Sequence, residues 1–305
     1  MKFKVVVALL AFFMLGSFNN AHAQRWFKTS SLEFGLIGGA THYSGELTNE
    51  QFFEARGLKP SIGLITRYTP RDILTFRLSA QFGGLEGNDA WYENSDTENP
   101  RNLSFRSKLW DFTGAAEINL RSMDYRQKSG IIPYLFGGVS VFKYNPEALF
   151  EYDPSSPHVT RPGSAYTDLQ DRDEEWVELQ PLGTEGQETT EFNERRRYSL
   201  TQLAVPVGAG IKAKLNQKWT IGLEYGLRIT FTDYLDDVST TYVDPTRIQA
   251  QYGPMSAAMA DRSPTLHDEL IDNQRGNPEN NDLYGIFGVT VTYRIYGNKP
   301  VCPSF

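Results

Sequence analysis

The feature of this chain that most constrains its fold is a series of eight strand-like segments, separated by gaps that alternate in length. In seven of the eight, apolar side chains occupy every other position, as in a β-strand with one apolar face. The gaps after the first, third, fifth and seventh segments are long, and the others are short. Alternating long and short connections are typical of bacterial outer-membrane β-barrels.

The predicted strands are residues 32–44, 61–68, 74–82, 110–120, 131–144, 203–214, 219–232 and 283–296. Several alternate for ten residues or more, which is longer than the usual strand of a soluble sandwich and suits a tilted membrane crossing. We therefore predict an all-β, eight-stranded antiparallel transmembrane β-barrel with short periplasmic turns and long extracellular loops, at about 145–198 and 233–282. The alternative is a soluble sandwich or lipocalin-like barrel. Pro133 and the Gly137-Gly138 pair leave the facing of strand five unassigned.

The polar faces of these strands carry charges of both signs. The residues predicted to point into the lumen are Glu33, Arg67, Arg77, Asp111, Glu117, Lys212, Glu224, Arg228 and Arg294. The candidate lumen charge network is Glu33, Arg77, Glu117, Glu224, Arg228 and Arg294. Eight strands leave an interior just wide enough for side chains, and an unpaired buried charge is costly. We expect paired charges and an occluded lumen.

The first residues have the features of a secretory signal. Lys2 and Lys4 precede an apolar run over residues 5–15, and Ala21-His22-Ala23 provides a cleavage site. We predict a signal peptide at 1–23 and one barrel domain at 24–305; a short buried helix is the alternative for the apolar run. An even strand number then leaves both termini in the periplasm, beneath the outer membrane.

The charge is concentrated in two long loops. Residues 146–197 hold 13 acidic residues against five arginines, and residues 233–282 hold ten against three, in a chain of net charge −7. The acidic loops carry charge of the same sign as the nucleic-acid backbone and repel it, so nucleic acid is a poor partner. Outer-membrane lipids and lipopolysaccharide are the expected surroundings, with weak bridging by divalent cations to lipopolysaccharide left open.

The sequence offers little for catalysis or cofactor binding. No pair among the four histidines has metal-ligand spacing, and no serine stands in a nucleophile elbow. Residues 171–175 loosely resemble a calcium loop, but Trp176 occupies the position where an EF-hand needs glycine. We expect no catalytic, cofactor or metal site. An enzymatic barrel with a triad from distant residues remains the alternative.

Four short segments resemble the PorG-like outer-membrane proteins of Bacteroidota. They are Tyr43-Ser-Gly-Glu-Leu47, residues 232–242 (TDYLDDVSTTY), Arg275-Gly-Asn-Pro278 and residues 281–285 (NDLYG). The resemblance implies an eight-stranded barrel of the type IX secretion system, which exports folded cargo and in some members supports gliding motility. It implies a non-enzymatic role: tethering the periplasmic ring, made of a lipoprotein and its partner subunit, to the outer membrane. No catalytic residues carry over.

The predicted periplasmic rim contains the candidate docking residues. These are Arg71, Arg121, Asp124, Arg126 and Lys128, and the turn at 121–130 is net basic. An acidic partner surface or lipid headgroups would each complement such a turn. The alternative function is an adhesin or surface-binding barrel that uses its long acidic loops.

Overall fold

The computed structural model describes residues 30–48, 55–71, 73–91, 101–121, 130–155, 166–190, 192–263 and 271–296, so the predicted signal peptide lies outside it. Eight long strands form a closed antiparallel barrel, which confirms the predicted fold. They are β1 Ser31–Ser44, β2 Lys59–Arg71, β3 Leu74–Asn88, β4 Ser104–Asn119, β5 Gly130–Lys143, β8 Thr201–Lys214, β9 Trp219–Thr230 and β10 Leu283–Tyr296. Their order is β3-β2-β1-β10-β9-β8-β5-β4, and pairing of β3 with β4 closes the barrel.

The outside of the barrel is covered with large apolar side chains. Every strand contributes at least one that is exposed: Leu36, Leu64, Leu78, Phe112, Leu135, Ile211, Leu223 and Val289 are examples. A soluble barrel would place these side chains inside, whereas lipid requires them outside. At one edge of this apolar belt, Trp219 and Tyr293 make an edge contact with ring centroids 5.1 Å apart. The exterior is that of a membrane-spanning barrel.

Strands β3 and β4 are longer than the sequence predicted, because the apolar side chains change from the outward face to the inward face part way along each strand. Up to Phe82 and Trp110 the apolar side chains point outward, and these two rings pack together with centroids 4.7 Å apart. Beyond them Leu85 and Leu109 are buried inside, while Lys108 is exposed outside. The reversal marks the height at which the surroundings of the barrel change from lipid to water.

Strand β5, whose facing the sequence left open, alternates regularly. Tyr134 and Phe136 point inward and are buried, whereas Leu135 points outward. The Phe136 ring lies against two glycines of β8 and β9: a Cβ on Gly208 or Gly226 would meet it at 2.4 or 2.7 Å. Small residues on two strands therefore make room for one large side chain from a third.

The two longest connections fold over one mouth of the barrel; we call their described parts within 144–200 and 231–282 the cap. They contain two strands and two α-helices that the sequence analysis did not predict: β6 Pro146–Phe150, β7 Glu175–Glu178, α1 Pro245–Tyr252 and α2 Pro254–Ala260. The Asp244 carboxylate caps α1 by accepting from the Thr246 amide at 2.9 Å, and Gly253 with positive φ separates the helices. None of the described helices has the length and apolarity to cross a membrane.

The cap has an apolar core of its own, which continues into the barrel mouth. Its buried residues include Leu85, Phe105, Tyr144, Phe150, Leu169, Val177, Leu179, Leu235, Val238, Met255 and Met259. Three tyrosines, Tyr144, Tyr198 and Tyr234, belong to this core or pack against it. They stack on one another inside the cap, with centroids 6.2 and 4.8 Å apart, because the folded connections cover them.

Candidate functional site

The centre of the lumen holds an ion cluster built from five strands. Glu117 of β4 accepts from Arg67 Nε at 2.9 Å and also contacts Arg77 and Lys212. Glu224 of β9 is 2.7 Å from Arg77 Nη2 and 3.1 Å from Arg67 Nη2. All five side chains are at most 5% exposed. Three cations therefore share two carboxylates across the full width of the barrel.

Two further ion pairs lie apart from the central cluster. Arg294 Nε donates to Glu33 Oε1 at 2.8 Å, between residues that are paired across β1 and β10. Arg228 Nε lies 3.5 Å from Asp111 Oδ2. The Asp111 carboxylate also accepts from Thr113, Ser140 and Tyr284 at 2.6–2.8 Å. Asp111 therefore has neutral donors besides its cation.

The six predicted network residues are all buried, but they divide among three groups. Arg77, Glu117 and Glu224 belong to the central cluster, whereas the other three belong to the separate pairs. Sequence reasoning placed Arg67 and Lys212 inside but left them out of the network. It missed Tyr134, which donates to Glu224, because the facing of β5 was unassigned.

The candidate docking residues are only partly described. Arg71 ends β2 and Arg121 follows β4; both are exposed, at the end of the barrel opposite the cap. Asp124, Arg126 and Lys128 lie outside the described residues. A basic rim at 121–130 therefore stays a prediction.

The cap contains a buried ion pair between its two connections. Arg275 Nη1 lies 3.0 Å from Glu185 Oε1 and donates to the Asp237 carbonyl at 2.7 Å. Glu185 also accepts from the Ser239 and Thr240 amides at 2.9 and 3.0 Å. These contacts join the 144–200 connection to the 231–282 connection.

Beside this ion pair lie four carboxylates, which we call the acidic quartet: Glu46, Asp233, Asp236 and Asp282. One oxygen each from Glu46, Asp236 and Asp282 lie within 4.8 Å of one another. The Tyr43 hydroxyl donates toward both Asp236 Oδ2 at 2.6 Å and Asp282 Oδ1 at 2.9 Å. A Cβ on Gly45 would lie 1.9 Å from Asp282 Oδ1, so only glycine lets the chain approach this closely.

The quartet is electrostatically strained. Burial, and after it the charge of Asp233, raises the pKa of Glu46 to about 7. Burial, with the charge of Asp236, raises the pKa of Asp233 to about 7. The pKa values of Asp236 and Asp282 lie well above the usual range, again chiefly because both are fully enclosed.

The four segments that carry the family resemblance meet in this part of the cap. Tyr43 and Glu46 come from the first, Asp233 and Asp236 from the second, and Asp282 from the fourth. Arg275, from the third, pairs with Glu185 next to them. Residues far apart in sequence therefore form one buried polar centre, which sequence reasoning could not assemble because no long-range contact was known.

These features define a class of protein: a closed β-barrel with an apolar belt, a charge-filled lumen and a folded cap over one mouth. The chain belongs to the family described as Domain of unknown function (DUF6089), whose model matches residues 6–157 and 185–258. A search of the curated proteins gives no match to this chain.

Among solved structures the chain is similar to small barrels. One is the N-terminal barrel domain of Pseudomonas aeruginosa OprF, at 9% identity and TM-score 0.33, covering 87% of this chain and 97% of that one. Others are Neisserial surface protein A (9%, TM-score 0.35, 87% and 96%) and Ail of Yersinia pestis (10%, TM-score 0.33, 88% and 98%). Scores this low add no functional argument.

Proposed function

We propose that the protein is a non-enzymatic outer-membrane component of the type IX secretion system, which anchors the periplasmic ring to the outer membrane. The ring lipoprotein and its partner subunit would dock on the rim formed by the short turns. The cap would face the cell exterior, and both termini would face the periplasm.

The filled lumen is the observation that supports this proposal most strongly. Seven of the eight long strands contribute side chains to ion pairs in the interior, and the remaining strand, β5, contributes Tyr134, which hydrogen-bonds to Glu224. The cap core then covers one mouth. A barrel blocked in this way is a poor channel but a rigid membrane plug. Its available surfaces are the cap and the opposite rim.

The resemblance to PorG-like proteins favours the rim as the working surface. Arg71 and Arg121 are exposed there, and they would complement an acidic partner. Buried side chains of the four segments that carry the resemblance join the cap to the barrel mouth, so these segments support its fold more than they offer a binding surface.

The test compares the two ends of the barrel. Arg71→Gln with Arg121→Gln removes two exposed charges from the rim, and Asp171→Asn with Glu174→Gln removes two exposed charges from the cap. A third variant replaces 121–130 with Asn-Gly, since a hairpin closes with a short turn. The measurement is co-purification of ring subunits with the barrel from outer membranes.

We expect both rim variants to retain less ring and to export less cargo, while the cap variant retains both. Deleting residues 150–194 is a poor control, because Leu169, Val177 and Leu179 are part of the cap core. Loss of the ring from the cap variant alone would contradict the anchor and favour the surface-binding alternative. Heat-modifiable mobility on gels verifies that each barrel is folded.

A further inference from the structure

We propose that the acidic quartet, Glu46, Asp233, Asp236 and Asp282, is a Ca²⁺ site that holds the cap closed over the barrel mouth. This inference is independent of the proposed function. The sequence analysis considered calcium only at residues 171–175, which are exposed and lie elsewhere in the cap.

The spacing of the carboxylates suits one ion. Oxygens bound to a common Ca²⁺ at 2.3–2.6 Å lie at most about 5 Å apart. One oxygen each from Glu46, Asp236 and Asp282 lie within 4.8 Å of one another. Carboxylate oxygens are the ligands that Ca²⁺ prefers, and four carboxylates can supply most of its six to eight positions.

Asp233 is an independent indication that a ligand is missing from this arrangement. Asp233 is 6% exposed, and neither carboxylate oxygen completes a hydrogen bond of normal geometry among the described residues, although Ser239 and Glu46 lie close enough to lower its pKa. It interacts electrostatically with Glu46, Asp236 and Asp282, so it belongs to the same centre. A buried ionised carboxylate needs donors or a cation, and a cation bound here would satisfy Asp233.

Among the described residues, positive groups offset the charge of the quartet only in part. Two arginines lie near the quartet: Arg101, from the segment before β4, pairs with Asp89 at 2.9 Å, and Arg275 of the cap pairs with Glu185 at 3.0 Å. The Tyr43 hydroxyl has one proton for two carboxylates. In the part of the chain that the structure describes, four acids therefore face one another with only partial compensation, and a divalent cation would supply the rest.

The positions of the ligands explain what the ion would do. Glu46 lies in the connection after β1, Asp233 and Asp236 follow β9, and Asp282 directly precedes β10. One ion would join both ends of the 231–282 connection to a third segment. The Leu235 amide, which donates to Asp282 at 2.8 Å, would be held in the same place. Loss of the ion should loosen the cap while the barrel persists.

The experiment uses the full-length protein in detergent, treated with EGTA and then titrated with Tb³⁺ as the probe. Tyr43 contacts two proposed ligands and should sensitise Tb³⁺ luminescence. We expect a saturable signal that Ca²⁺ displaces. Asp233→Asn and Asp282→Asn should weaken Tb³⁺ binding at least tenfold, whereas Asp171→Asn, an exposed acid of the cap, should leave it unchanged. Absence of a signal, or equal binding by all variants, would overturn the proposal.

Thermal unfolding distinguishes a side chain that binds Ca²⁺ from one that only supports the fold. Ca²⁺ should raise the unfolding temperature of the wild type but not that of Asp233→Asn. Without Ca²⁺, Asp233→Asn should unfold at the wild-type temperature or above, because it removes one of four repelling charges. If it instead unfolds lower by the same amount with and without Ca²⁺, the side chain is structural and the site is refuted. Equal stabilisation by Mg²⁺ would also refute a Ca²⁺ site.

Discussion

The substitution Glu117→Gln should destabilise the barrel strongly, because it removes one of two carboxylates from a fully buried cluster. Glu117 is 0% exposed and contacts Arg67, Arg77 and Lys212. Afterwards Arg67 and Arg77 would keep Glu224, whereas Lys212 would lose its carboxylate partner. Removing one partner of a buried ion pair typically costs about 3–5 kcal/mol of unfolding free energy. We expect a loss in that range, measured by urea unfolding in lipid vesicles.

Two controls separate charge imbalance from other effects. Glu147→Gln breaks the ion pair with the half-exposed Arg106, 3.1 Å apart, and should cost at most about 1 kcal/mol. The double variant Glu117→Gln with Lys212→Met removes a charge of each sign, so it should be more stable than the sum of the single losses predicts. Equal costs for Glu117→Gln and Glu147→Gln, or strict additivity in the double variant, would refute the reasoning.

Three further outcomes follow from the barrel walls and interior. Leu223→Arg places a charge in the lipid belt and should cost roughly 2–4 kcal/mol of unfolding free energy in vesicles. The control Asp171→Arg, on the exposed surface of the cap, should cost little. Equal costs for the two variants would mean that the inward and outward faces are reversed. Purified protein in planar bilayers should conduct negligibly, and large stable currents would contradict the filled lumen. Gly226→Ala crowds Phe136 and should cost about 1–3 kcal/mol by urea unfolding, which Phe136→Leu should partly restore; no recovery would contradict the packing.

The barrel could be predicted from sequence because its walls depend on a local pattern. Alternation in β9 assigns Leu223 to lipid and Glu224 to the lumen without any knowledge of neighbouring strands. The same logic failed at residues 83–88 and 104–109, where Leu85 and Leu109 turn inward to the cap core. At that height the surroundings change from lipid to water, so the assumption that apolar side chains point outward no longer holds.

The cap could not be predicted, since its organisation depends on long-range contacts. Glu46 and Asp282 are separated by most of the chain, and only the pairing of β1 with β10 brings them together. The quoted motifs marked these residues as notable, but nothing in their spacing indicated that they form one centre. Helix α1 was missed although Asp244 and Pro245 are good start signals, because the segment is short and weakly patterned.

The most direct test of the account is accessibility to a membrane-impermeant maleimide in intact cells. In a Cys302→Ser background, single cysteines replace Asp171 on the cap, Leu223 on the belt and Arg121 on the rim. The account predicts labelling of the cap position in intact cells, of the rim position only after the outer membrane is permeabilised, and of the belt position in neither case. Labelling of the rim but not the cap in intact cells, or ready labelling of the belt, would contradict it.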